Sequence, residues 1–586
     1  MLQYYDYITI ALYLAFLLGV GWVFGRMSKS ASDYIRGGGT ATWWLVGSSA
    51  GMATVSAYTF TGAAAAAFEA GPTVLVIYAA NVIAYVTHAL WFARRFRQSR
   101  AYTDADILRI RFGPEVEQFR SYYGLLIGVS LGAVPLWALA VFCATIFKLD
   151  STQIIVVLGV VVTLYAMKGG KWAVMGNDFV QSLIVLPITL VVAYLCWRAV
   201  GGWDGFLALF SRPDLAADFE LIKPAGSGDG RFDLSWVLVV FAIQYIGQVN
   251  LLQSQRFLAA RDGREASRAA WFCAAALGVG ALVWFIPPMV ARALWSPEVL
   301  AIPVERGGAA YAVAALKVLP NGLIGVMLVA MFATTLSTMD VALNSNAGIF
   351  VRNVMPALRG LFRLPPLSDS AQVFACRIAT VVFGVVSILV AVFYSRLKNF
   401  GLFDSYLIVG SIIGLPLTIP MIAGLLIKRL PRWSFFAIFA ASLAPAVYSL
   451  LDESLSDRHW TYTERGALVL LFGVTTTLIC IPFYARSSQG FRDRVEAFFE
   501  RMRTPLSSEE KGVGSDRAQA LILGRFSTLM GGLLLLLLLV PNDAEARLSI
   551  LFIAFSVMAL GSLLWRAGAK REVSQVRATD PTDSAA

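Results

Sequence analysis

The sequence predicts an all-α polytopic membrane protein with about 15 transmembrane helices. Of its 586 residues, 58% are hydrophobic and only 15% are charged, whereas soluble domains carry about 25% charged residues. The mean hydropathy is +0.68, and apolar runs approach the roughly 20 residues that a helix needs to cross a bilayer. We expect spans near residues 5–26, 42–68, 72–93, 121–147, 152–167, 173–199, 235–256, 269–295, 318–350, 371–394, 401–427, 432–451, 466–485, 519–540 and 546–566.

Arginine-rich loops alternate with acidic or mixed loops, and this alternation sets the predicted orientation. Arginine clusters follow the third, seventh, ninth and eleventh spans, whereas the loops at 204–233 and 452–464 hold acidic residues. The positive-inside rule places basic loops in the cytoplasm. The N-terminus is then outside and the C-terminus inside, as an odd number of spans also requires. The net charge of +11 therefore does not indicate a nucleic-acid partner.

Residue types that build enzyme active sites and metal centres are scarce in this chain. The five cysteines lie singly in apolar runs, where we interpret them as small buried hydrophobic residues. The two histidines, His88 and His459, are far apart in the sequence. No nucleophile–base pair, metal-ligand set or phosphate loop is recognisable, so we expect neither enzymatic activity nor a cofactor. The N-terminus lacks a basic region and a cleavage site, so we expect the first span to be retained.

The ninth span is unusually polar between Thr334 and Asn346. At helical pitch Ser337, Asp340 and Asn344 share one stripe. An ionised aspartate at the centre of a lipid-facing helix costs about 2.5–3.5 kcal/mol, so Asp340 should face protein, water or a cation. Hydroxyl, carbonyl and carboxylate oxygens suit a hard cation. Serine and threonine also link helices or bond their own helix, and the residues alone leave both interpretations open.

Four other spans carry polar or helix-breaking residues. Small residues at 47–62 allow close helix packing, but such a stretch can also unwind and offer carbonyl groups to an ion. Asp178, in the sixth span, either pairs with Lys171 or serves a cation site. The amides at 250–256 suggest a cavity lining or an ordinary helix end, and the Gly and Pro residues at 410–420 permit a hinge without requiring one.

The charged stretch 486–518 contains hydrophobic residues at amphipathic spacing. A helix with such a face either lies in the membrane interface or packs beneath the helix bundle. The residues that form this face are Phe491, Val495, Phe498, Phe499 and Met502.

Taken in order, several segments resemble the sodium:solute symporter family, which includes the sodium–glucose cotransporters. The similarity covers roughly residues 5–430 and rests on the order and spacing of its motifs, none of which is specific alone. The segments are Asp33-Tyr34 to Trp43-Trp44 with Ser56-Ala57 and Gly62, Thr103–Asp106 to Arg111–Gly113, Gly169-Gly170 to Asp178 and Gln181, Gln255-Arg256 to Ala259-Ala260, and Ser337-Thr338 with Asn344-Ser345.

The resemblance implies two inverted five-helix repeats, as in the amino-acid/sodium transporter architecture, with binding at mid-membrane beside broken helices. One helix precedes this core and four follow it. The chain then divides into a leading helix and cytoplasmic loop (1–41), a first repeat (42–200), a second repeat (201–430), additional helices (431–485), a cytoplasmic amphipathic loop (486–518), the last two helices (519–570) and a disordered cytoplasmic tail (571–586).

The resemblance also implies ion sites. Carried over by position, the family's main sodium site takes the backbone carbonyls of Met52, Val55 and Thr334 and the hydroxyls of Ser337 and Thr338. Asp178 matches the acidic residue of a second sodium site that some members hold. The hydroxyls expected beside it fall at Asp340 and Val341, so this chain departs from the pattern. Asp178, Ser337 and Asp340 then form either a second cation site or a protonatable group that replaces it.

The substrate side matches the sugar-transporting members poorly. The sequence predicts a sodium-coupled symporter that imports a small polar solute, with a sugar or sugar derivative favoured. Proton coupling and a solute-sensing module without net transport stay as alternatives. We expect a monomer in the bilayer of a bacterial inner (cytoplasmic) membrane, with sodium and the solute as its partners. The predicted lining residues are Tyr58, Thr59, Phe60, Gln244, Tyr245, Gln248 and Asn250.

Overall fold

The computed structural model describes most of the chain. The described residues are 4–25, 34, 37–147, 149–224, 231–302, 307–396, 406–407, 410–456, 458–507, 510–511 and 516–579.

Helices dominate, and no strand longer than an isolated bridge occurs within those residues. The first helices are α1 Tyr4–Gly25, α2 Trp43–Thr54, α3 Gly62–Ala70, α4 Leu75–Thr87, α5 Ala93–Gln98, α6 Asp104–Arg111, α7 Pro114–Phe147, α8 Ser151–Ala199, α9 Gly202–Ala208, α10 Ala216–Phe219, α11 Leu234–Gln248 and α12 Ser254–Phe257. They are followed by α13 Gly263–Trp284, α14 Ile286–Leu294, α15 Ser296–Leu300, α16 Ala310–Val318, α17 Leu323–Ile349, α18 Met355–Leu361, α19 Asp369–Ser395, α20 Leu415–Leu426, α21 Ser434–Leu455, α22 Tyr462–Cys480, α23 Gln489–Arg503, α24 Asp516–Leu535 and α25 Ala544–Thr579.

Many of these helices suit a membrane interior. In the described part of the chain, 10 are long and apolar enough to cross a bilayer, or up to 11 if the bent pair α11 and α12 is one span. The chain is therefore a multi-pass, all-helical protein. Each predicted span contains helical residues among those described, whereas residues 401–405 and 408–409 of the eleventh span lie outside them. Several of these helical segments are short, so the count of about 15 crossings stays a prediction, as do the inverted repeat and the orientation of the termini.

The second predicted span is a broken helix. Helix α2 ends at Thr54, and Val55 (φ −110°, ψ 126°) and Ser56 (φ −139°, ψ 179°) are extended before a 3-10 turn at Ala57–Phe60. Two side chains hold the break, since Ser56 accepts from the backbone N–H of Tyr58 and the Thr61 hydroxyl donates to the Ala57 carbonyl over 2.8 Å. The small residues of this span thus allow both close packing and the predicted unwinding.

The fifth and sixth predicted spans form one continuous stretch, α8, interrupted at Gly170. This glycine has φ 60° and ψ −174°, a left-handed conformation that side chains disfavour. It supplies the turn that the Gly169-Gly170 pair predicts, and Asp178 follows two turns later.

Helix α17, the polar ninth span, lies at the centre of the bundle. In the most apolar part of this helix 83% of the residues are buried inside the protein, whereas in the most apolar part of α25 only 28% are buried. It packs against α1, α2, α7 and α8. This burial keeps Asp340, at 0% exposure, away from lipid, as the cost of burying a charge in hydrocarbon predicts.

Helix α23 packs beneath the bundle and is not isolated in the membrane interface. Its apolar face meets α5 and α6, and Phe491, Val495, Phe498 and Met502 are buried. The Arg111 guanidinium lies over the Phe491 ring and donates to the Gly424 carbonyl of α20 and to the Ile427 carbonyl just after it. Burial lowers its pKa to about 10. Of the two predictions for the 486–518 stretch, packing beneath the helix bundle is therefore the one that the structure shows.

The structure also tests the predictions for the five cysteines and for the C-terminal segment. All five cysteines are free and buried, as expected. Helix α25 continues to Thr579, into the segment predicted to be disordered, and residues 580–586 lie outside the described residues.

Candidate cation and solute site

The break after α2 and the polar face of α17 meet at one cavity. Thr54 and Ser56 from the break line it together with Thr338 from α17, and its volume is about 250 Å³. Because helices α2 and α17 also pack against each other, the carbonyls at the break and the hydroxyls of α17 lie in the same region of the bundle. This is the juxtaposition that the predicted sodium site requires.

The hydroxyl groups of α17 are oriented in different ways. Thr334 donates to the Met331 carbonyl over 2.9 Å, and Thr338 donates to the Thr334 carbonyl over 3.0 Å. A hydroxyl whose proton is committed to its own helix keeps its lone pairs available to a cation. Ser337 is fully buried, and its Oγ lies near the Asp178 carboxylate without a hydrogen bond of regular geometry among the described residues. Buried polar atoms are nearly always satisfied, so this oxygen indicates a place for a ligand.

The other two predicted sodium ligands lie where α2 ends. Met52 and Val55 are buried, at 5% and 4% exposure. The Val55 N–H still reaches the Met52 carbonyl over 3.3 Å, but the extended backbone at Val55 and Ser56 interrupts the helical ladder. Carbonyl groups released in this way are the usual cation ligands of broken membrane helices.

A second cluster of buried oxygens centres on two aspartates. Asp178 accepts from the Ser49 hydroxyl over 2.5 Å through Oδ2. Its Oδ1 and both carboxylate oxygens of Asp340 have no hydrogen-bond partner within the part of the chain that the structure describes. Both aspartates are at 0% exposure and are close enough to interact electrostatically. Lys171, the other predicted partner of Asp178, interacts with it electrostatically but makes no direct ion pair with it among the described residues.

This second cluster continues toward the first helix. Gln181 donates through Nε2 to the Tyr13 hydroxyl of α1 over 2.9 Å, while Gln181 Oε1 and the Tyr165 hydroxyl are buried without described partners. Two unpaired carboxylates in a dry interior are costly by several kcal/mol each. A cation or a proton between them removes much of this cost, so the cluster is suited to bind one or the other.

Four of the predicted lining residues, Tyr58, Gln244, Gln248 and Asn250, line the cavity. The Tyr58 ring lies 4.5 Å from the ring of Tyr406, which closes one side. The polar groups are mostly amides and hydroxyls, so the cavity suits an uncharged or weakly charged polar solute.

The other three predicted lining residues do not line this cavity. Thr59 accepts a hydrogen bond from the Tyr78 hydroxyl over 3.0 Å. Phe60 is packed edge-on against Tyr311. The Tyr245 hydroxyl lies 3.1 Å from the Thr87 hydroxyl, with which it is hydrogen-bonded.

The amide-rich stretch 250–256 lines the cavity, which is the first of its two predicted interpretations. Gln253 of this stretch lines the cavity and donates to Gln248 Oε1 over 2.8 Å. Other lining residues come from segments that the sequence did not single out for binding. Tyr406, Thr418 and Tyr462 also line the cavity. Tyr462 begins α22, outside the segment that carries the family resemblance, so no motif pointed to it.

A buried polar network ties α6, α7, α12 and the π-helical turn Phe350–Val354 after α17 together on the predicted cytoplasmic side. Asp104 pairs with Arg120, with side chains at 0% and 1% exposure, and also accepts from Gln255 Nε2 over 3.2 Å. Nearby, Asn353 donates to Glu117 over 2.7 Å and to Asp106 over 3.0 Å. This network uses the Thr103–Asp106 motif.

Replacing Asp104 by asparagine is expected to destabilise the protein strongly. The change leaves the buried Arg120 charge uncompensated, which costs about 3–5 kcal/mol. The unfolding midpoint in detergent should fall clearly. Glu510→Gln is the matched control, since Glu510 forms an exposed pair with Arg100 at 2.6 Å and its loss should leave the midpoint nearly unchanged. Equal midpoints for the two variants would contradict a structural role for the buried pair.

The chain is similar to a known family and to several transporters. The model of the sodium:solute symporter family matches residues 34–434. The sodium/myo-inositol cotransporter 2 of Bos taurus is 26% identical over 478 residues, which cover 76% of this chain and 70% of that protein. The sodium/sialic acid symporter NanT of Aliivibrio fischeri is 23% identical, with 81% and 91% covered. The sodium/glucose cotransporter of Vibrio parahaemolyticus is 26% identical, with 67% and 75% covered.

Solved structures show the same fold. The substrate-bound, outward-open state of a Na⁺-coupled sialic acid symporter aligns with a TM-score of 0.69 at 19% identity, covering 83% of this chain and 98% of that one. A nucleobase-cation-symport-1 family transporter in a closed conformation aligns with a TM-score of 0.51 at 14% identity, covering 80% and 99%. At these identities the similarity concerns the fold.

Proposed function

Since this chain belongs to the sodium:solute symporter family, we propose that it is a secondary-active symporter that imports a small polar organic solute together with sodium by alternating access. Membership makes it a transporter and not an enzyme. We propose that it works as a monomer in a bacterial inner membrane. A sugar or sugar derivative is the favoured solute, because the similar proteins are named for myo-inositol, sialic acid and glucose.

The observation that carries sodium coupling is the packing of the polar face of α17, with buried Thr334 and Ser337, against the helix that breaks after Thr54. We propose that sodium binds to carbonyls of Met52, Val55 and Thr334 and to the hydroxyls of Ser337 and Thr338. Since Thr338 also lines the cavity, an ion held there fixes one wall of the solute site. Sodium and solute then raise each other's affinity, as linkage requires.

The energy of such coupling is sufficient for accumulation. One positive charge that moves inward across a membrane potential of 100 mV supplies about 2.3 kcal/mol. At about 1.4 kcal/mol for each factor of ten, this corresponds to roughly fortyfold accumulation of solute before any sodium gradient is counted.

A second candidate, proton coupling, is favoured by the two buried aspartates. Asp340 stands where the family pattern has a hydroxyl, and its carboxylate oxygens lack described partners. A carboxyl group in this position could carry a proton instead of contacting a second sodium ion. The main sodium site does not depend on this choice.

Uptake into proteoliposomes tests the proposal. Sugars, inositols, sialic acids, uronates and amino acids would be offered under an imposed sodium gradient, under a proton gradient, and with choline replacing sodium. We expect uptake of one solute class that requires sodium and grows with an inside-negative potential. Uptake that is indifferent to sodium but driven by the proton gradient would contradict sodium coupling and support the second candidate.

A further inference from the structure

A cavity on the predicted cytoplasmic side of the bundle, apart from the transport site, combines arginine and aromatic side chains. It lies where the loop before α21, the 3-10 turn after α22 and the start of α23 meet, and its volume is about 410 Å³. Its arginines are Arg432, Arg486 and Arg494, and its rings include Trp433 and Phe483. We call it the three-arginine cavity.

Two of these arginines have no carboxylate partner. Arg432 pairs with Glu115 of α7. Arg486 lies over the Phe483 ring at 5.5 Å, and neither Arg486 nor Arg494 forms an ion pair among the described residues. No carboxylate is among the described residues that line the cavity. Since a guanidinium has five N–H groups, these two side chains keep donors for an anion such as a phosphate group.

The surroundings of the cavity are also net positive. The two segments that form it, residues 427–434 and 481–495, hold six basic residues and one acidic residue, Asp493. The structure describes every side chain in both segments. Two glutamates outside these segments pair with Arg432 and Lys428. Positive charge therefore exceeds negative charge even when both glutamates are counted.

The start of α23 adds backbone donors on the same side. Ser488 caps this helix by accepting from the Phe491 N–H, and Ser487, Ser488 and Phe491 line the cavity. The N-terminus of a helix carries a partial positive charge and unpaired N–H groups, both of which favour phosphate groups. An anion among the arginines would therefore also face the positive end of α23.

The aromatic side of the cavity borders the outer surface of the bundle. The rings of Trp433 and Phe483 are 50% and 38% exposed and pack edge-on at 5.8 Å. Phe483 follows closely on α22, whose last turn exposes Leu478 and Ile479. Tryptophan is enriched where membrane proteins cross from hydrocarbon to headgroups. A phosphate beside the arginines would thus have acyl chains directly beside the rings.

The ring of Phe491 connects this cavity to the helices of the transport site. It is buried, lines the cavity and lies beneath the Arg111 guanidinium, which donates to the Gly424 carbonyl of α20 over 3.0 Å. Helix α20 also contributes Thr418 to the solute cavity. A ligand in the three-arginine cavity would hold α21, α22 and α23 together beneath these helices.

We propose that the three-arginine cavity binds the headgroup of an anionic phospholipid, with its phosphate among Arg432, Arg486 and Arg494 and an acyl chain across Trp433 and Phe483. Basic pockets between membrane helices on the cytoplasmic side bind such headgroups. The exposed rings and the apolar end of α22 favour a lipid over a soluble phosphate. The bound lipid stabilises the packing of α23 beneath the bundle.

The test is the thermal stability of the full chain in nanodiscs of phosphatidylcholine, with and without phosphatidylglycerol. We expect phosphatidylglycerol to raise the unfolding midpoint of the wild type by several degrees and the Arg486→Gln/Arg494→Gln variant to lose most of this rise. The Arg486→Lys/Arg494→Lys variant should keep part of it. The matched control is Arg264→Gln/Arg363→Gln, which removes two exposed arginines outside the cavity and should respond like the wild type.

Further arms separate a lipid from a soluble anion. Trp433→Ala should weaken the response to phosphatidylglycerol, and inorganic phosphate added to the protein in phosphatidylcholine nanodiscs should produce no rise. A full response to phosphatidylglycerol in the Arg486→Gln/Arg494→Gln variant would overturn the proposal. So would an equal rise with inorganic phosphate. Because each result is a difference between two conditions for one variant, a general loss of stability does not imitate it.

Discussion

Replacing Ser337 by alanine is expected to raise the sodium concentration that half-saturates solute uptake by about 10- to 150-fold. Contacts between a polar group and a charge contribute about 1.5–3 kcal/mol, and each 1.4 kcal/mol is tenfold in affinity. Ser337 Oγ is buried on the face of α17 that packs against the broken helix, so it is placed to serve the proposed sodium ion. The measurement is sodium-dependent uptake in proteoliposomes at a fixed solute concentration.

The effect of Ser337→Ala on thermal stability should depend on whether sodium is present. In choline the variant loses only the contact of the Ser337 hydroxyl with the Asp178 carboxylate, which has no regular hydrogen-bond geometry, so the unfolding midpoint should change little. In sodium the midpoint should be lower than that of the wild type, since stabilisation by a ligand follows its affinity. Ser442→Ala is the matched control, because Ser442 Oγ is also buried but donates to the Ile438 carbonyl over 2.8 Å in α21. Wild-type sodium dependence in Ser337→Ala would contradict the site.

The general arrangement was predictable from the sequence because membrane burial makes polar residues informative. Asp340 in a long apolar run had to face protein, and the structure places it fully buried on the central helix. The small residues of the second span permitted unwinding, and the helix indeed breaks at Val55. In both cases the cost of exposing polar groups to hydrocarbon restricts the possible structures so strongly that local sequence suffices.

The details of the solute cavity were less predictable because they depend on side-chain directions and distant segments. Tyr58, Thr59 and Phe60 are neighbours in a 3-10 turn, where successive side chains diverge by about 120°. Only Tyr58 therefore lines the cavity, while Thr59 bonds Tyr78 and Phe60 packs against Tyr311. Tyr462 reaches the cavity from a helix beyond the resemblance. No periodic pattern within a single span contains this information.

Replacing Asp340 by asparagine is expected to change the sodium dependence of uptake from sigmoid, with a Hill coefficient near 2, to hyperbolic, with a Hill coefficient near 1. The proposal that Asp178, Ser337 and Asp340 hold a second sodium ion requires a carboxylate to offset the ion's loss of hydration. Two opposite charges about 4 Å apart interact by on the order of 4 kcal/mol at an effective dielectric constant of 20. Loss of this attraction between the carboxylate and the ion lowers the affinity of the second ion by roughly 1,000-fold, so its site empties at ordinary sodium concentrations.

The main sodium site, by contrast, should keep most of its affinity in Asp340→Asn, because its predicted ligands do not include this residue. Asp340→Glu should retain two ions with weaker binding, since the charge remains while the geometry changes. Asp150→Asn is the matched control. Asp150 caps α8, the helix that carries Asp178, through the N–H groups of Thr152 and Gln153, and asparagine caps a helix about as well as aspartate.

The two functions proposed for Asp340 give different results in one experiment, in which the uptake of solute is measured against both sodium concentration and pH. A second sodium ion predicts that Asp340→Asn lowers the Hill coefficient and the number of charges moved for each solute. Proton coupling predicts that the wild type takes up solute under a proton gradient, that Asp340→Asn loses this uptake, and that the Hill coefficient for sodium stays near 1 in both proteins. A variant that behaves like Asp150→Asn in every respect would contradict both functions, and the buried aspartate would then be structural.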